Sequence, residues 1–86
     1  MYVLMVYDVA ERRCAKALKV ARRYLGWVQN SVFEGELTPG RLAALKKDMA
    51  EALDPDHDSV LFYIWPMERY AAREALGPRP TTGNFI

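Results

Sequence analysis

An aspartate that closes an otherwise apolar run is the first residue whose type and position could do chemistry. Tyr2 to Tyr7 is β-prone and of strand length, and it stops at Asp8. Read as a strand, it puts Tyr2, Leu4, Val6 and Asp8 on one face and Val3, Met5 and Tyr7 on the other. Two readings of Asp8 stand side by side. An aspartate in this place can cap the following helix or start a turn. Alternatively, a carboxylate held at a sheet end can bind a hard cation. Mg²⁺ wants octahedral oxygen ligands and keeps several waters, so one carboxylate holds it poorly. Two copies of Asp8 meeting across a dimer axis could hold it, and the site would then depend on dimerisation.

Positive charge is the second feature. Residues 11–24 carry Arg12, Arg13, Lys16, Lys19, Arg22 and Arg23 against only Glu11, whereas residues 48–58 carry five acids and no Lys or Arg. The net charge of +1 therefore hides a basic segment and an acidic one. Arg12, Lys16, Lys19 and Arg23, at spacings of four, three and four, form a ridge on one side of a helix. Such a ridge is either a solvated face or a set of phosphate contacts, which bind nucleic acid without regard to sequence. His57 stands among Asp54, Asp56 and Asp58, an arrangement expected to be a solvated loop rather than a metal cluster. Cys14 falls on the apolar stripe of the same helix and is expected in the core. No phosphate-binding glycine loop, zinc spacing or serine triad is present.

The elements that position these residues follow from periodicity. Arg12 to Leu25 reads as a helix with Cys14, Ala17, Leu18, Ala21 and Leu25 as its apolar stripe and Gly26 as its stop. Trp27 to Leu37 is one long strand, or two short strands meeting at a tight bend at Asn30-Ser31. Thr38-Pro39 supplies an N-cap and a proline at the first helical position. The helix that opens there turns Leu42, Leu45, Met49 and Leu53 inward and ends at Asp54-Pro55. A further strand, VLFYIW, closes at Pro66, and Met67 to Leu76 reads as a short helix. The tail 79–86 has no helical pattern, but Asn84 to Ile86 is apolar enough to add an edge strand.

Strand, helix, two strands, helix, strand predicts an α+β, ferredoxin-like βαββαβ domain over residues 1–78. Both helices would cover one sheet face. The other would be left bare, which argues for a homodimer with the sheets packed face to face. A chain of 86 residues buries roughly 60–65% of its unfolded surface, so a second copy would also add needed stability. The hydrophobic share of 51%, with two tryptophans, argues against disorder. A single cysteine fits a reducing compartment. The N-terminal run lacks a basic lead and meets a charge at Asp8, so neither a signal peptide nor a membrane span is expected. Together these predict a cytoplasmic protein.

The strand VLMVYD, the basic helix, Gly26, the stretch VQNSVFEGEL, the helix start TPGRL and the strand DSVLFYIW together resemble one family. It is the Cas-two family of small CRISPR adaptation proteins, which work beside the CRISPR integrase. The resemblance covers residues 2–66, and VQNSVFEGEL is its most specific part. It implies a ferredoxin-like homodimer that takes part in spacer acquisition. It further implies a Mg²⁺- or Mn²⁺-dependent endonuclease that hydrolyses phosphodiesters in single-stranded RNA or double-stranded DNA. On that likeness Asp8 of each subunit would be the metal ligand, with Tyr7, Arg13 and Phe33 on neighbouring site positions. Members also bridge two integrase dimers and hold DNA, so a non-catalytic adaptor is the alternative. Arg12, Arg13, Lys16, Lys19 and Arg23 would then touch the nucleic-acid backbone. The last residues would cross to the other subunit as a strand. Trp27 stands where many members carry a basic residue.

Overall fold

The computed structural model describes residues 1–71. Four strands and two helices alternate as β1 (Tyr2–Asp8), α1 (Glu11–Ala21), β2 (Gly26–Gln29), β3 (Val32–Glu36), α2 (Pro39–Ala52) and β4 (Ser59–Trp65). The sheet order is β2-β3-β1-β4, and every neighbouring pair is antiparallel. This is the ferredoxin-like βαββαβ arrangement expected from the element order. The tail 79–86 and the boundary at residue 78 lie outside the described residues. No described helix is long and apolar enough to cross a membrane.

One face of the sheet makes the core. Val3, Met5 and Tyr7 of β1 and Phe33 of β3 pack against Ala17, Val20 and Ala21 of α1 and Leu42, Leu45 and Met49 of α2. The other face carries Leu4, Val6 and Asp8 from β1 beside Leu61 and Tyr63 from β4, paired Val6 with Leu61 and Leu4 with Tyr63. Leu61 and Tyr63 are 58% and 48% exposed, so that face stays partly bare.

The α2 boundaries follow their local signals. Thr38 is the N-cap, its Oγ1 accepting from the Arg41 amide at 3.2 Å, and Pro39 occupies the first turn. Removing that acceptor with Thr38→Ala should cost about 1 kcal/mol in urea unfolding, with an unchanged m-value. Between β2 and β3 the chain turns at Asn30, which has φ of 46°. Asparagine tolerates this left-handed conformation better than most residues, so the two-strand alternative is the one formed.

Three expectations are corrected. α1 ends at Ala21, five residues before Gly26, which instead begins β2. Arg22 follows in a helical turn whose amide bonds the Leu18 carbonyl, and turns at 22–25 complete the exit. Cys14 is exposed, and Val20 takes the core place assigned to it, because α1 is rotated so that its second half faces α2. Where a helix was expected to run from Met67, the described residues form only a 3₁₀ turn at Glu68–Tyr70, with Ala71 extended after it; the rest of that expected helix, to Leu76, lies outside the described residues. The turn itself buries no residue.

Candidate functional site

Asp8 ends β1 opposite Ser59 of β4, with its side chain exposed on the bare face. It does not cap the helix. The N-cap of α1 is Ala10, which makes no side-chain capping bond. Among the described residues the Asp8 carboxylate accepts no hydrogen bond and enters no ion pair. A free carboxylate at the end of an apolar strand needs another explanation than local structure.

Asp58 does the structural work that Asp8 leaves undone. Its side chain is 0% exposed and sits just before β4. Its Oδ1 accepts from the Ala10 amide at 2.9 Å and from Arg13 Nη2 at 3.0 Å. Its Oδ2 accepts from Arg13 Nε and from the Asp54 amide, the latter at 2.9 Å. One carboxylate thus fastens the segment after Asp8 to the entry of β4. The hydrogen bonds from Arg13, helped by those two amides, hold the Asp58 carboxyl far below the usual carboxylate range against the opposing effect of burial.

That depression has a sign. Asp58 stabilises the fold fully above the unfolded carboxylate pKa near 4, and the contribution is lost as pH falls through and below that value. Asp58→Asn should therefore melt with a shallower dependence on pH between about pH 5 and pH 2 than the parent. Thermal unfolding followed by circular dichroism at each pH reads this directly. Parallel acid limbs would contradict it.

Tyr7 and Phe33 lie on the opposite side of the sheet from Asp8. Their rings stack at 6.1 Å with an interplanar angle of 19°, and Phe33 is wholly buried. Burial raises the Tyr7 phenol, Cys14 adds to that, and Arg22 opposes it. Arg13, only 17% exposed, is spent on Asp58. The candidates therefore separate into a free carboxylate, a core pair and a clamp.

The basic ridge separates likewise. Arg23 faces Asp48 at 3.7 Å, and Asp48 also accepts from the Tyr24 hydroxyl at 2.5 Å, which raises the Tyr24 pKa. Arg12, Lys16, Lys19 and Arg22 enter no ion pair among the described residues. They remain available to an anionic partner. His57 is exposed and meets only Asp54, 3.0 Å away. No group of three metal-ligating side chains converges among the described residues.

Sequence reasoning missed Asp58 because it reads as one more acid in the run from Asp48. It also left Arg22, unpaired among the described residues, out of the candidate contacts. The spacing 12, 15, 19, 22 was a usable signal, since those positions share a helix row.

Comparison with known proteins agrees with this architecture. A family profile described as CRISPR associated protein Cas2 matches residues 1–73. A CRISPR-associated endoribonuclease Cas2 from Thermotoga maritima is 50% identical over 86 residues, covering 100% of this chain and 99% of the relative. A crystal structure of Cas2 superposes with a TM-score of 0.87 at 38% identity, covering 100% of this chain and 97% of that one. Cas2 of Streptococcus pyogenes, solved at pH 6.5, gives a TM-score of 0.79 at 32% identity over 90% of this chain and 100% of that one. With its whole length matched in sequence by a relative 50% identical and its fold superposing on a Cas2 structure, the chain belongs to the CRISPR-associated Cas2 family.

Proposed function

We propose that the chain is a metal-dependent endonuclease of CRISPR adaptation, acting as a homodimer on single-stranded RNA or double-stranded DNA. The observation that carries this reading is the Asp8 carboxylate, exposed at the rim of a bare sheet face and engaged by no local partner. The endoribonuclease name of the Thermotoga maritima relative supports it.

The donor set decides what kind of metal site is possible. At this rim one chain offers the Asp8 carboxylate, and no group of three ligating side chains forms among the described residues. Mg²⁺ is habitually held by one or two carboxylates together with waters and substrate phosphates. The residues therefore fit a shared Mg²⁺ or Mn²⁺ site built from Asp8 of two copies, and do not fit a private one. Such an ion would supply Lewis-acid chemistry there, polarising the phosphate and lowering the pKa of a water. Asp8 serves to hold it, and Arg12, Lys16 and Lys19 hold the phosphodiester backbone. Hydrolysis adds the water oxygen to phosphorus and breaks the bond to the leaving sugar oxygen. One water proton passes to that oxygen and the other to solvent.

Cleavage of labelled RNA and DNA with Mg²⁺ tests the assignment. Asp8→Ala should lose at least about a hundredfold in rate. Cleavage at the parental rate would remove Asp8 from the chemistry.

The unpaired basic residues of α1 favour a second reading, a dimeric adaptor that positions DNA for a CRISPR integrase without cutting it. Phosphate contacts serve both roles. In that case the parent binds DNA in a salt-dependent way and shows no metal-stimulated cleavage.

A further inference from the structure

A cavity of about 420 Å³ opens on the helix side of the sheet, between α1 and the β2–β3 hairpin. Tyr7, Leu18 and Trp27 wall it, Ala15 and Arg22 form its helical rim, and Asn30 and Ser31 its polar end. Its size lies within the range of small-ligand sites. Trp27 is 38% exposed, and its Nε1 donates to the Asn30 carbonyl at 3.0 Å, which pins the ring in place. An exposed, fixed indole is a stacking platform.

The surroundings say what would stack there. Arg12, Ala15, Lys19 and Arg22 occupy one row of the helix at spacings of three, four and three. Arg22 lines the cavity and Arg12 and Lys19 lie further along the same helix row; none of the three enters an ion pair among the described residues, and no acid lines the cavity. A polyanion running along that row would present its substituents to the aromatic wall. We propose that this cavity takes an unpaired base of a single-stranded nucleic acid, stacked on Trp27, with its flanking phosphates on Arg12, Lys19 and Arg22. Bases inside a duplex are already stacked and paired, so they do not enter. The inference rests on the nucleic-acid reading above, but not on cleavage.

Fluorescence anisotropy of labelled oligothymidylate and of a labelled duplex, both in EDTA so that nothing is cut, tests it. Trp27→Ala should weaken oligothymidylate binding about tenfold or more, and Trp27→Phe much less. Ala15→Leu keeps the charge and fills the cavity, and should weaken the single strand similarly. Duplex binding should change less than about twofold in all three, since phosphates dominate it. Oligothymidylate should also quench tryptophan fluorescence in the parent and not in Ala15→Leu. Parental single-strand affinity in both Trp27→Ala and Ala15→Leu would overturn the subsite and leave the cavity to a side chain of a protein partner. Equal losses for single strand and duplex would overturn it too. A parent that binds neither probe sinks the nucleic-acid reading itself. A parent that binds, depends on Trp27 and fails to cut with Mg²⁺ sinks only the nuclease.

Discussion

At equal total protein concentration, parent chains refolded together with a ninefold excess of Asp8→Ala chains should keep about one hundredth of parental cleavage, not about one tenth. The expectation follows from the donor count. Each chain presents the free Asp8 carboxylate at the rim of a face where Leu61 and Tyr63 are exposed, and no group of three ligating side chains forms among the described residues. Covering that face with a second copy removes apolar surface from water and brings two equivalent rims together. Activity then scales with the square of the parental fraction. A linear fall would mean that each chain works alone and would discard the shared site. Unfolding does not confound the result. The Asp8 side chain supports nothing nearby, so Asp8→Ala should melt within about 2 °C of the parent.

The largest loss of stability should come from Asp58→Ala. It removes the acceptor of two Arg13 donors and of the Ala10 and Asp54 amides at once. Alanine replaces none of them, and unpaired donors next to the core are expensive. A fall in Tm of at least about 10 °C is expected for a domain of this size. Asp56→Ala, two residues away on an exposed side chain, should shift Tm by less than about 2 °C. Arg13→Ala combined with Asp58→Ala should cost less than the sum of the two, because both break one contact. Strict additivity would show that the pair is not coupled. The comparison also assigns Arg13. If Arg13→Ala loses nucleic-acid binding without losing Tm, it is a contact residue rather than part of the clamp.

Much of this was legible in the sequence because the signals were local. Thr38-Pro39 marks α2, the bend at Asn30-Ser31 marks the hairpin, and the alternation in β1 separates Asp8 from Tyr7. What was not legible depends on contacts distant in sequence. The apolar positions of α1 allow more than one rotation, and only α2 decides that Val20 is buried and Cys14 exposed. Arg13 and Asp58 are 45 positions apart, so nothing nearby distinguishes a clamp from a phosphate contact. The cavity at Trp27 likewise needs the hairpin folded back beside α1.

The composition of β4 has a consequence for handling the protein. Ser59 to Trp65 is a seven-residue segment without charge or proline, and it sits at one end of the sheet order with its outer edge unpaired among the described residues. Uncharged, β-prone stretches of that length at a sheet edge are the usual nuclei of fibrillar aggregation. Asp58 and Pro66 bracket it as gatekeepers, one by charge and one by lacking an amide hydrogen. Copies that have not yet covered this strand should therefore be the ones lost to inclusion bodies.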